Sequence, residues 1–206
     1  MSFHLINKYF PDLKNDSKQK IEILFPLYKK VNEKINLISR KDFDFFYERH
    51  VLHSLSIAKV FQFKKGQDIM DLGTGGGFPG IPLAILFPET NFLLVDSIRK
   101  KTDSVSKILF NLKLPNVKVI NARSEELDYK FDFVVCRAVA SLSKLDSWTK
   151  GKIKKTKNSG LICLKGGDLK SELKGFENKV KIFNIFNFFE EDFFLSKKII
   201  FFQADD

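Results

Sequence analysis

The stretch "IMDLGTGGGFPGIPLAILFPETNFLLVDS", residues 69–97, decides the fold. Four of the five residues 73–77 are glycine, and the loop lies between two apolar runs that carry Asp71 and Asp96 at or near their ends. Glycines let a backbone turn sharply and approach a ligand closely, so a glycine loop after a strand reads as a nucleotide cradle. Which nucleotide depends on the frame. A Walker A loop needs G-K-[ST] at its end, and none is present. A dinucleotide fingerprint G-x-G-x-x-G fits only as Gly75, Gly77 and Gly80, two residues late for a strand that ends near Leu72. Starting it at Gly73 puts Phe78 where a small residue is required. The pattern Asp71, Gly73, Gly75, Gly77, as D-x-G-x-G-x-G, follows the strand without a frame shift.

Outward from this loop, apolar runs alternate with helical ones, as in a parallel α/β sheet covered on both faces. The predicted strands are "DIMDL", "NFLLVD", "VKVIN", "FDFVVC" and "GLICLK". Helices are expected near 80–87, 98–112 and 141–157, with a short helical piece at 123–127. After Gly167, "DLKSELKGFENK" reads as helical. "VKIFNIFNFF" and "FFLSKKIIFFQ" then read as two strands joined by a short loop with "EED", a hairpin at the sheet edge. Before the loop, residues 1–65 read as a helical cap on a catalytic domain of residues 66–206. Ile21, Leu24, Phe25, Tyr28, Val31 and Ile35 are spaced for one helix, with Asp16 or Ser17 as its N-cap and Pro26 as a kink. A second helix is expected from after Asp42 to about Phe61.

Composition narrows the class. A length of 206 residues with 44% hydrophobic content suits one core, since single cores serve roughly 100 to 200 residues. No apolar run approaches the roughly 20 residues of a bilayer span, and "MSFHLINKYFPDLK" is broken by charge, unlike a signal peptide. A soluble cytoplasmic protein without membrane contact is expected. Cys136 and Cys163 lie in strand-like runs and read as buried thiols. The net charge of +10 suits a polyanionic partner, although the abundance of lysine also fits a compositional bias. Only five of the 35 basic residues are arginine: Arg40, Arg49, Arg99, Arg123 and Arg137. Where lysine dominates, an arginine points to a need for its planar fork.

The D-x-G-x-G-x-G frame resembles motif I of class I S-adenosylmethionine-dependent methyltransferases, whose sheet is Rossmann-like. The resemblance implies that Gly73, Gly75 and Gly77 cradle the methionine and ribose portion, with Asp71 attracting the cationic amino-acid end. Asp96, ending the second strand, is placed to accept both ribose hydroxyls. "NARSEE" follows the third strand, where such enzymes touch the adenine, which makes Ser124 and Glu125 candidates. At the end of the fourth strand, "CRAVASL" lacks the [DNS]-P-P-[YFW] turn of amino-group methyltransferases and the proline beside a nucleophilic cysteine of cytosine C5 enzymes. Transfer to an atom that is already nucleophilic remains.

"NLISR" at 36–40, "ERHVLHSL" at 48–55, "DLGTGGGFPGIPLAI" at 71–85, "VDS" at 95–97, "FDFVVCRAVASL" at 131–142 and "LKGG" at 164–167 together resemble the bacterial small-subunit ribosomal RNA guanine-N7 methyltransferases, the glucose-inhibited division protein B family. The similarity covers nearly the whole chain in order. It implies methylation of guanine N7 in 16S ribosomal RNA of the small subunit, with S-adenosylmethionine as donor and S-adenosylhomocysteine as product. By the family pattern, Gly73, Phe78, Ser124, Glu125 and Arg137 fall on cofactor-binding positions. Gly76 stands where relatives often have proline, Phe78 replaces an aliphatic residue, and Pro26 interrupts the first helix.

Arg137 and Lys165 are the candidate catalytic groups. A bidentate arginine contact to guanine O6 and N7 would block the nucleophile, so Arg137 is expected on cofactor, O6 or phosphate, and Lys165 on O6 or phosphate. Arg40, Arg49 and His50 are expected to hold RNA phosphates together with Lys165. His53 and Trp148 read as packing, and the "IFNIFNFFEEDFF" run reads as core strands. No metal site is expected, and the protein reads as a monomer. Two alternatives stay open: a methyltransferase acting on another substrate, and an RNA-binding ribosome assembly factor without activity.

Overall fold

The computed structural model describes residues 3–156 and 158–203; the side chain of Arg40 and Lys157 lie outside the described residues. Strands β1 (Asp68–Leu72), β2 (Asn91–Asp96), β3 (Val117–Asn121), β4 (Phe133–Arg137) and β5 (Gly160–Gly166) are parallel, and β6 (Val180–Asn184) and β7 (Lys197–Gln203) complete the sheet antiparallel. The order is β3-β2-β1-β4-β5-β7-β6. The chain runs outward from β1 to β3 and returns to β4 beside β1, so the loops after β1 and β4 diverge there and leave a crevice at the strand carboxyl ends.

Successive side chains alternate between two buried faces, which explains the mostly apolar central strands β1, β4 and β5. Ile69, Phe133, Val135, Ile162 and Leu164 pack on one face of the sheet, and Met70, Leu72, Val134, Cys136, Leu161 and Cys163 on the other. The first face is covered by α5 (Gly80–Leu86), α6 (Arg99–Leu112) and the N-terminal helices; the second takes α7 (Leu142–Thr149) and α8 (Lys170–Leu173). Leu24, Tyr28, Phe46, Val51 and Leu55 share one apolar cluster with the sheet face, so the N-terminal segment continues the core. Ser17 Oγ donates to the Ile85 carbonyl at 3.0 Å, which joins it to α5.

The N-terminal helices differ from the expected pair. α1 (His4–Tyr9) precedes α2 (Asn15–Glu22) and α3 (Leu24–Asn32), and α2 begins after Lys14 with no side-chain cap, so neither Asp16 nor Ser17 caps it. The break falls at Ile23 and not at Pro26, because Pro26 lies in the first turn of α3, where its missing N–H has no intrahelical acceptor to serve. The predicted second helix changes winding along its length. A 3-10 turn (Arg40–Phe45) leads into a π-helix (Phe46–Leu52), a single α-turn, α4 (His53–Leu55), and another 3-10 turn (Ser56–Lys59). Phe46, Tyr47, Val51 and Leu52 are all buried, and their five-residue spacing matches the wider π turn.

Other helices are shorter than predicted. α7 stops at Thr149, ahead of Gly151 at φ 75°, and Lys154 beyond it pairs with Asp68 and Asp132 at 3.2 and 2.8 Å. α8 covers only Lys170–Leu173. β6 and β7 do pair at the edge, but the link is long: in residues 185–196 two 3-10 turns (Ile185–Asn187 and Asp192–Phe194) flank an irregular stretch, and Ile185, Phe189 and Phe194 are buried. The Phe-rich run is therefore core, as read, but mostly through turns and not strands. Cys136 and Cys163 face each other across β4 and β5 with sulfurs 3.4 Å apart as buried free thiols.

Gly160 tests the β5–β7 contact. A Cβ there would lie 2.5 Å from the Phe202 carbonyl oxygen and collide with the Phe201 ring. Gly160→Ala is expected to cost roughly 1 to 3 kcal/mol, read as a melting temperature lower by several degrees in calorimetry.

Candidate active site

The crevice at the carboxyl ends of β1, β2 and β4 holds a cavity of about 390 Å³, within the roughly 300 to 1,000 Å³ usual for small-molecule sites. The glycine loop forms its floor, with Gly73, Gly75 and Gly77 at φ 64°, 57° and 90°. Gly73, Gly75 and Gly76 line the cavity, whereas Gly77 lies behind it against Ile81 and the Tyr28 hydroxyl. Gly76 packs against the Leu37 carbonyl, and Tyr28 Oη donates to the Gly76 carbonyl at 2.5 Å, so "NLISR" and α3 brace the loop from outside.

The two aspartates separate in role. Asp71 shares the strand face of Ile69, is fully buried, and is not among the cavity-lining residues. Its Oδ2 accepts from Thr74 Oγ1 at 2.6 Å and from the Gly80 amide at 2.8 Å, which ties the loop to the start of α5. Burial raises its pKa to about 6 against these two bonds, and Oδ1 has no partner among the described residues. A carboxylate whose folded pKa exceeds its unfolded value costs stability when charged. That cost, on the order of 3 kcal/mol at neutral pH, fades as pH falls through 6 towards the unfolded value. Asp71, expected to attract the cationic end of the ligand, thus stands behind the loop and not on the cavity surface.

Asp96 does face the cavity. Its Oδ2 accepts from the Gly75 amide and its Oδ1 from the Ile98 amide, each at 2.9 Å, so the carboxylate is oriented before any ligand arrives. Ser124 and Glu125 line the opposite end on a 3-10 turn after β3, where Ser124 Oγ donates to Glu125 Oε2 at 3.0 Å. A ring-and-diol ligand with a charged tail fits this donor set: a carboxylate for hydroxyls, a polar turn at one end and a guanidinium at the other. Leu37, Lys101, Arg123, Val139 and Trp148 also line the cavity. Sequence reasoning missed these, Trp148 most plainly, because its position on α7 follows from packing and not from a motif.

Arg137, at the end of β4, lines the cavity near Gly73 and Phe78. Its Nη1 donates to the Arg49 carbonyl and its Nη2 lies against His50 Nδ1, both at 3.0 Å, with the guanidinium carbon 5.0 Å from the Phe78 ring centre. Desolvation lowers its pKa to about 10, so it remains a cation at neutral pH. Phe78 itself is buried between Tyr28, Phe46 and His50 and forms the seat under this cation. Ala138, the next residue, adopts φ 53°, an uncommon conformation for a residue other than glycine, and turns the chain away from the strand.

The expected RNA-facing residues do not all stand free. Arg49 donates to Asp42 at 2.7 Å and stacks on Phe45 at 3.9 Å, with about a third of its side chain exposed. His50 turns inward onto Arg137, and His53 is buried with its ring edge-on to Phe193, in keeping with packing. Lys165 does not line the cavity: its ammonium donates to the Ala140 carbonyl and to Glu172 at 2.6 Å. Lys152 is likewise used internally, on the Glu125 and Leu127 carbonyls. Among the described residues, no group of three or more His, Cys, Asp or Glu could hold a metal ion, and no helix is long and apolar enough to cross a membrane.

Comparison with known proteins gives the site its context. A protein from Christiangramia forsetii named ribosomal RNA small subunit methyltransferase G is 51% identical over 205 residues, covering 98% of this chain and 97% of its own. The protein of the same name from Bacteroides thetaiotaomicron is 52% identical over 203 residues, with 97% and 98% covered. Among solved structures, an S-adenosylmethionine-dependent methyltransferase from Aquifex aeolicus superposes with a TM-score of 0.58 at 13% identity, over 85% of this chain and 98% of that one. Precorrin-6y C5,15-methyltransferase from Geobacter metallireducens gives 0.55 at 12% identity, over 74% and 87%. These two speak to the fold, which is that of class I methyltransferases. The family model described as GidB, rRNA small subunit methyltransferase G, matches residues 17–194, and with full-length relatives at about half identity the chain belongs to that family.

Proposed function

We propose that this chain transfers the methyl group of S-adenosylmethionine to N7 of a guanine in 16S ribosomal RNA of the small subunit. The observation that carries the reading is the pre-oriented Asp96 carboxylate in a cavity walled by the glycine loop, in a chain of a ribosomal RNA methyltransferase family. Asp96 takes the ribose diol, Ser124 and Glu125 the adenine, and Gly73 and Gly75 approach the methionine portion. Asp71 and Gly77 act on the cofactor through the shape of the loop. Arg137, a half-buried cation at the other end of the cavity, holds the carboxylate of the amino-acid end, and Phe78 supports it.

The cofactor supplies an electrophilic methyl on a sulfonium. Guanine N7 carries a lone pair that is unprotonated at neutral pH, so its attack forms the N7–carbon bond as the carbon–sulfur bond breaks, with no general base required. The positive charge passes to the purine and leaves neutral S-adenosylhomocysteine. What this chain contributes is alignment and a pocket that does not oppose the charge shift. Lys165 serves this indirectly, by fixing the turn after β4 through the Ala140 carbonyl. Arg49, on the N-terminal cap of residues 1–65, meets RNA phosphates at the mouth of the 66–206 domain. The protein works in the cytoplasm as a monomer.

Ribosomal RNA from cells lacking this protein is expected to lose one N7-methylguanine, read as one missing cleavage after borohydride and aniline; an unchanged pattern refutes the substrate. Asp96→Ala is expected to weaken S-adenosylmethionine binding by about tenfold or more in calorimetry while RNA binding holds. Arg49→Ala is expected to weaken RNA binding and reduce the slope of log affinity against log salt by about one; a normal slope removes it from the RNA face.

A further inference from the structure

Arg137 is an unusual cation. It sits largely withdrawn from solvent, and none of the ion pairs among the described residues includes it. Its two fixed contacts are both neutral acceptors from one turn of the π-helix, the Arg49 carbonyl and His50 Nδ1. A guanidinium can only donate, so Nδ1 must be the unprotonated nitrogen of His50. The ring proton then sits on Nε2, which is buried without a partner among the described residues. Burial first, and the Arg137 charge second, keep the ring neutral by moving its pKa down to about 3. A neutral ring with its acceptor turned inward offers no cation to a phosphate. The ring is therefore placed to serve Arg137.

A buried N–H left unpaired is unfavourable, and a phenyl ring would fill the same space between Phe46 and Phe78 without it. What the imidazole provides that a phenyl cannot is the acceptor at Nδ1. With Nη1 and Nη2 each held by one bond and Phe78 under the carbon, the plane of the fork is set, and its remaining N–H groups are available to the cavity that Arg137 lines.

We infer that His50 is a positioning residue for Arg137: by accepting from Nη2 it holds the guanidinium in the plane that receives the carboxylate at the amino-acid end of S-adenosylmethionine. The inference rests on the cofactor reading proposed above. It separates the roles of the neighbours Arg49 and His50, with the Arg49 side chain directed to the outer face and the His50 ring to the cofactor.

The test is calorimetry of the full chain with two ligands, S-adenosylhomocysteine, which has the carboxylate, and 5′-methylthioadenosine, which lacks the amino-acid end. His50→Phe is expected to weaken S-adenosylhomocysteine about tenfold, the scale of one charge-assisted contact, and to leave methylthioadenosine and the melting temperature unchanged. His50→Gln, whose side-chain amide reaches the Nε2 position, is expected to behave like His50→Phe. His50→Asn, whose oxygen stands at the Nδ1 position, is expected to recover most of the affinity. In an Arg137→Met background, His50→Gln is expected to add no further loss. Equal losses for both ligands, no loss for S-adenosylhomocysteine, or Asn and Gln variants that behave alike each overturn the inference while leaving the cofactor reading intact. A wild-type chain that binds neither ligand overturns the cofactor reading itself and this inference with it.

Discussion

Everything that faces the cavity depends on how the loop of residues 73–77 leaves the sheet, and that path is held by one buried carboxylate. Asp71 accepts from Thr74 on the loop and from the Gly80 amide at the start of α5, so the two ends of the turn are fastened to one group inside the strand. Charge is costly at that depth, as its raised pKa records. The loop keeps it because two short donors aim at a single oxygen, and because Gly80 leaves no Cβ in the way: one would stand 2.6 Å from Asp71 Oδ2. With the loop fixed, the Gly75 amide points at Asp96 and orients the next carboxylate along. A charge hidden inside the sheet thus sets a charge presented in the cavity.

The N-terminal segment completes the site. Tyr28 reaches the Gly76 carbonyl, Leu37 joins the cavity wall, and the π turn carrying Arg49 and His50 supplies the two acceptors that hold Arg137. An α-helix of uniform winding buries side chains three and four apart. The five-residue spacing of Phe46 with Val51 and Tyr47 with Leu52 is satisfied by a wider turn, and that turn brings the Arg49 carbonyl and the His50 ring onto one cation. The packing of the cap and the geometry of the cavity are therefore one arrangement, since Phe46 and Phe78 belong to the same apolar cluster that closes the sheet face.

The parallel strands, the glycine frame and the edge hairpin were legible because they rest on local rules: apolar runs of strand length, a loop that must follow a strand directly, and the order of alternation. Helix ends were less legible. Pro26 broke nothing because it fell in a first turn, and the 141–157 stretch was cut short by a glycine in the left-handed region and by the pull of Lys154 to Asp68 and Asp132, partners distant in sequence. The Phe-rich C-terminal run has the composition of strands but folds as turns, because Phe189 and Phe194 are needed beneath Tyr9 and His53.

By itself, the sequence determined the class of sheet, the frame of its glycine loop and, at the cavity, Asp96 from its place at a strand end and Ser124, Glu125 and Arg137 through the family pattern. Only the tertiary structure decided direction. Asp71 and Asp96 lie at comparable places on neighbouring strands, yet one points beneath the loop and the other into the cavity. Arg49 and His50 are adjacent in sequence, yet one is stacked near the surface and the other is turned onto Arg137. Lys165 stands one residue from the end of its strand, close to where Arg137 ends its own, but Glu172 and the Ala140 carbonyl draw its ammonium away. The direction of a polar side chain depends on partners that only folding brings within reach, and spacing along the chain carries no record of them.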